Sequence, residues 1–151
     1  MGYDYQILLP GVPVSSSRGA LGWCSVVLIQ GERRNLIFDT GSHGDRQHLL
    51  AALASHGLSP GDIHTVFLSH FHYDHVLNAD LFPNARLLIS PAEWDYVKSN
   101  AFHQANDPYV PTGFIAWAGQ RVEVFDQPGS YFRAWPRCPF PATRRGFAVF
   151  F

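Results

Sequence analysis

A chain of 151 residues, 46% of them hydrophobic and 15% charged, has the material for one folded core and is too apolar to stay disordered. Its net charge of −1 provides no basic surface for nucleic acid or for an anionic membrane. No run approaches the roughly 20 apolar residues that span a bilayer, and the start, MGYDYQILLPG, lacks a basic segment followed by a long apolar one, so the expected location is cytoplasmic.

Along the chain, residues 3–9 read as a strand. Residues 24–30 and 35–38 are two β-rich runs around the polar turn Gln30-Gly31-Glu32-Arg33, the pattern of a hairpin. Cys24 lies in the first of these runs and reads as a plain core residue; with Cys138 it makes no CxxC spacing and no disulfide framework. Asp45 can cap a helix reaching His56, with Leu49, Leu50 and Leu53 on its buried face and Gly57 as a left-handed stop. Residues 64–69 form a short apolar strand and residues 85–89 another. Ser90-Pro91-Ala92-Glu93 then has a cap, a first-turn proline and a returning glutamate, which predicts a helix over Pro91–Lys98. Residues 99–113 read as a loop and residues 121–125 as a further strand. Strands and helices interleave, which is the signature of a mixed α/β fold.

The chemistry is concentrated in His70-Phe71-His72-Tyr73-Asp74-His75, directly after a predicted strand. In extended chain, residues two apart point the same way, so His70 and His72 can present their rings to one metal ion. Asp74 and His75 follow where the chain turns, and can face a second ion. Imidazole nitrogen and carboxylate oxygen suit Zn²⁺, and the same donors accept Fe or Mn. Three histidines and an aspartate within six residues are hard to satisfy inside a core, so metal binding is the expectation. The single histidines at 43, 48, 56, 64 and 103 are expected to be solvated. Tyr73 either packs or brings its hydroxyl near the metals.

HFHYDH matches the HxHxDH motif of the metallo-β-lactamase superfamily, and LIFDTGS upstream is similar to the strand and turn that precede it there. The resemblance covers roughly residues 20–126. It implies an αββα sandwich of which residues 1–129 are the N-terminal portion, with two Zn²⁺ per intact site at one edge of the sheets. By the resemblance, His70 and His72 serve the first metal and Asp74 and His75 the second, Asp39 orients a ligating histidine from behind, and Asp74 is catalytic, placing or receiving a proton. The implied reaction is attack of a metal-bound hydroxide on the carbonyl of a small-molecule substrate. A lactone is the first expectation; a thioesterase of the glyoxalase II kind and an iron persulfide dioxygenase holding one Fe on His70 and His72 are the alternatives.

After His103 the sequence contains no further histidine, so the later ligands of the superfamily are not found. Residues 130–151, SYFRAWPRCPFPATRRGFAVFF, read unlike the rest of the chain. They are either a divergent tail or a segment read out of phase, because residues 141–146 shifted by one base can encode Gly-His-Thr-Pro-Gly, the third-histidine turn of the family. The favoured reading is the shifted frame. It implies a truncated, inactive form with an uncovered sheet face and a tendency to self-associate.

Overall fold

The computed structural model describes residues 4–125, apart from residues 18, 32 and 33. Strand β1 (Asp4–Leu9) is followed by a short ribbon of β2 (Ser15–Ser16) and β3 (Gly19–Ala20), then by the hairpin β4 (Val26–Gln30) and β5 (Asn35–Phe38). A 3₁₀ turn at His43–Asp45 leads into α1 (Arg46–Ser55), and β6 (Ile63–Phe67) into α2 (Tyr73–Val76). Strand β7 (Arg86–Ile89), helices α3 (Pro91–Lys98), α4 (Ala101–Gln104) and α5 (Thr112–Ala118), and β8 (Val122–Val124) complete the described chain. Among the described residues no helix is long and apolar enough to cross a membrane.

Six strands form one sheet in the order β1-β4-β5-β6-β7-β8. The first three pair antiparallel; β5, β6, β7 and β8 pair parallel. Because successive side chains alternate across a sheet, Leu28, Ile37, Val66, Leu87 and Ile89 point to one face, where Leu49 and Leu53 of α1 and Trp94 and Val97 of α3 cover them. Ile29, Leu36, Phe67, Leu88 and Phe125 form a second cluster on the other face, with the Phe38 and Phe67 rings stacked at 5.1 Å. Val66 and Phe67 of β6 and Leu87, Leu88 and Ile89 of β7 place apolar residues on both faces of the sheet.

The topology does one thing for function. Parallel strands end on the same edge, so the segments after β5, β6 and β7 all emerge together. These segments are the Asp39 turn, the histidine run and the start of α3.

The hairpin, the helix over Pro91–Lys98 and the glycine stop at Gly57, with φ of 71°, stand as the sequence predicts. Two expectations need correction. Residues 99–113 are not one loop: they hold α4 and the first turn of α5, helices too short to show a repeated apolar face. Asp45 stands at the N-cap of α1, but its carboxylate accepts from Ser42 N and Ser42 Oγ, both at 2.8 Å, and so closes the preceding 3₁₀ turn. Residues 130–151, expected to be divergent or out of frame, lie outside the described residues.

Gly41 sets the shape of this turn. Its φ is +77°, and a Cβ there would meet Asp45 Cβ and Oδ2 at 3.2 Å. Gly41→Ala should therefore cost about 1–2 kcal/mol and lower the melting midpoint by roughly 3–8 °C, measured by circular dichroism on metal-stripped protein. An unchanged midpoint would show that the turn is not constrained as described.

Candidate metal centre

Asp39 is the first residue beyond β5 and takes a left-handed conformation, φ 56°, which few non-glycine residues adopt. Its N–H donates to Phe67 O at 2.8 Å, welding the ends of β5 and β6. Its carboxylate, only 4% exposed, turns inward. Oδ1 accepts Ser69 N at 2.8 Å, and Oδ2 accepts both Ser69 Oγ and His75 Nδ1, each at 2.8 Å. Neighbouring ties reinforce the junction. Thr40 N and Thr40 Oγ1 both donate to His75 O, at 2.8 and 2.9 Å, while Asn78 Nδ2 donates to Thr40 O and Ser42 O. The aspartate turn and the histidine run are thus one hydrogen-bonded unit.

The outer contacts assign the histidine tautomers. Ser69 has one hydroxyl proton and gives it to Asp39, so at 3.0 Å it accepts from His70 Nδ1–H. His75 Nδ1–H donates to Asp39. His72 Nε2–H donates to Asp107 Oδ2 at 2.9 Å. The remaining nitrogens, His70 Nε2, His72 Nδ1 and His75 Nε2, then carry lone pairs. His70 Nε2 and His72 Nδ1 lie 3.1 Å apart, and His75 Nε2 lies 3.5 Å from Asp74 Oδ2. The His70 ring is 3.8 Å from that of His75 and 4.5 Å from that of His72.

Two lone pairs facing at 3.1 Å repel unless a cation lies between them. Nitrogens bound tetrahedrally at about 2.0–2.1 Å from one zinc ion are roughly 3.3 Å apart, so this separation fits one shared ion. The second pair, one imidazole nitrogen and one carboxylate oxygen, fits a second ion of the same kind. Burial, together with the neighbouring His75 and His72 rings, holds His70 down at about 3. Burial works against a charged His75 too, but the hydrogen bond and charge of Asp39, with Asp74 beyond, leave it above its ordinary value.

His70, His72, Asp74 and His75 are therefore brought together with Asp39 behind them. His43, His48, His56 and His103 are exposed and stand apart; His64 accepts a hydrogen bond from Asn35 N on the sheet. Tyr73 does not reach into the histidine cluster by any hydrogen bond described; its ring packs 6.2 Å from Tyr109.

One residue escaped the sequence reading and two were given the wrong surroundings. Asp107 holds His72 and accepts from Tyr109 N at 3.0 Å and Tyr96 Oη at 3.1 Å. Burial opposes its charge, but the Tyr109 N–H and the His72 ring hold the Asp107 carboxyl below its ordinary value. Glu93 does not turn back on its own cap as expected. Ser90 Oγ accepts Glu93 N, while Glu93 Oε1 accepts Phe71 N at 2.9 Å and fastens α3 to the middle of the histidine run. Cys24, expected to be plain core, packs half-buried on the core and also sets Sγ within 4.8 Å of donor atoms of Asp39 and His75.

The family profile of the metallo-beta-lactamase superfamily matches residues 21–127. A Xenopus laevis relative, metallo-beta-lactamase domain-containing protein 1, is 35% identical over 70% of this chain and 43% of its own length. The N-acyl homoserine lactonase AiiB of Agrobacterium fabrum is 30% identical over 72% of this chain and 48% of its own. A solved metallo-beta-lactamase structure from Thermotoga maritima superposes with a TM-score of 0.66 and 24% identity, covering 83% of this chain and 59% of that one. The chain belongs to the metallo-beta-lactamase superfamily and has its hydrolase fold. It spans less than half the length of either relative.

The titration of His70 has a thermodynamic consequence. Its folded value lies near 3 against an ordinary 6.5, so between these the unfolded chain binds more protons and stability falls as pH drops. The contribution of His75 runs the other way, complete below its ordinary value and lost as pH rises through the raised one. Metal-stripped protein should lose thermal stability steadily from about pH 6.5 downward, and His70→Gln should flatten that slope. Parallel slopes for the two proteins would refute the assignment.

Proposed function

We propose that this chain carries the metal-gripping part of a dinuclear hydrolase that opens a carbonyl ester bond, with a lactone as the first substrate class and a cytoplasmic setting. The observation that supports it is the convergence of His70 Nε2 on His72 Nδ1 and of Asp74 on His75, with every opposite ring nitrogen already committed to a hydrogen bond. In this reading His70 and His72 hold one ion, Asp74 and His75 the other, and Asp39 and Asp107 fix the rings from behind. Bound there, the two ions supply Lewis acidity toward a carbonyl oxygen and an activated water.

The protein groups do the rest. Asp74 would take the proton released by the attacking water on the carboxylate oxygen that does not face His75, and deliver it to the leaving alkoxide. Phe71, wholly buried against Trp94 and Phe114, keeps the loop from shifting away. Tyr109, 5.5 Å from His72, and Tyr73 beside it form an aromatic wall suited to an apolar acyl group. The lactonase name of the Agrobacterium fabrum relative adds weight to the lactone over a thioester, and concerns that protein only.

Zinc titration of the stripped chain against a chromophoric chelator should reveal tight binding that His72→Ala weakens severely. Asp107→Ala should weaken it by about 10–100-fold, with Asp107→Asn intermediate because an acceptor oxygen remains. No binding by wild type, or equal binding by all three variants, would sink the metal assignment. On lactone, thioester and cephalosporin substrates offered to the zinc-loaded chain and to any longer product that contains it, lactone turnover should be fastest. Faster thioester cleavage would replace the substrate class.

A further inference from the structure

The exposed large hydrophobic side chains of the described residues all lie between Tyr5 and Trp23. They are Tyr5, Ile7, Val12, Val14, Leu21 and Trp23, between 38% and 60% exposed. All six belong to one two-stranded arm, in which β1 and the β2–β3 ribbon lead back into β4. Tyr5 pairs with Ile29 and Ile7 with Val27, so both stand on the face of the second apolar cluster. Past the bulge after Ile7, Leu9 pairs with Val26, Val12 with Trp23 and Ser15 with Ala20, in one unbroken register. Val14 meets Leu21 in the same count, its carbonyl accepting Leu21 N at 2.8 Å. Val26 points to the helix-covered face. Alternation from there returns Trp23, Leu21, Val12 and Val14 to the face that carries Tyr5 and Ile7.

We infer that this face of the arm is an interaction surface whose occupant is a second copy of the chain, packed face to face across a two-fold axis. Six side chains at these exposures present on the order of 500–600 Å² of apolar surface, the upper end of what a monomer leaves bare in one patch. Two such patches bury roughly 1,200 Å², where specific, stable interfaces begin. From residue 5 to residue 31 the single charged residue is Arg18, at the tip of the arm. An uncharged patch meets its own copy without like-charge repulsion, and one two-stranded face fits another at the ~10 Å spacing of packed sheets. An anionic membrane is the poorer match, because the arm has one basic residue and the chain a net charge of −1. Contact of a patch with itself closes, so assembly stops at two.

Sedimentation equilibrium of the full chain tests this. Wild type should be a reversible dimer with a dissociation constant in the micromolar range, as suits an interface of this size. Ile7→Lys or Leu21→Lys puts a charge into both halves of the interface and should raise that constant by about 100-fold or more. Ser15→Lys adds the same charge next to Val14 but on the other face of the arm, and should leave the constant within about 3-fold. Wild type that stays monomeric to about 100 μM overturns the inference without recourse to any variant, and so does open-ended aggregation. A dimer that Ser15→Lys disrupts as much as Ile7→Lys does overturns the choice of face. Flotation of a monomeric chain with phosphatidylcholine vesicles would replace the second copy by a lipid surface.

Discussion

The centre depends on a buried carboxylate at a bent backbone. Asp39 sits where β5 leaves the sheet, in a left-handed conformation, and its two oxygens accept three hydrogen bonds from residues that follow β6. Those bonds decide which nitrogen of His75 carries a proton and, through Ser69, which nitrogen of His70 does. Removing the carboxylate would leave Ser69 N and His75 Nδ1 as unsatisfied donors near the core, a cost of about 1–3 kcal/mol apiece. The parallel register of β5 on β6, with Phe38 beside Phe67, puts the two segments close enough for these bonds to form.

Charge in the site is arranged in depth. Asp39 and Asp107 stand behind the rings and draw N–H protons outward, so the lone pairs are driven inward to a common space. His70, lacking a carboxylate of its own, buried and crowded by two other rings, is held neutral well below the ordinary imidazole range. Neutral imidazole is the form that ligates a cation, so the second ring of contacts prepares the first.

Much of this was legible because the donors are local. The four candidate ligands lie within six residues, and the extended backbone through His72 sets the directions of the first two, while Asp74 and His75 stand on α2. Asp39 was legible only through the resemblance of LIFDTGS to a known turn. Asp107 was not legible: it meets His72 from 35 residues away, across a segment whose short helices give no periodic signal. Glu93 was found but given the wrong partner, because a capping pattern describes one helix and says nothing of a chain crossing in front of it. Cys24 misled for a related reason. Apolar neighbours in sequence mark a strand, yet Cys24 stands just before β4, at the rim where Asp39 and His75 lie.

The lacing of Thr40, Asn78, Ser69 and Glu93 around the histidine run has a kinetic meaning. If the proposed ions bind, a pocket assembled beforehand asks for little ordering at the moment of encounter, so capture would run at a rate set by diffusion and dehydration. Differences among ions would then be expressed both in how fast each sheds its water and in how long each stays.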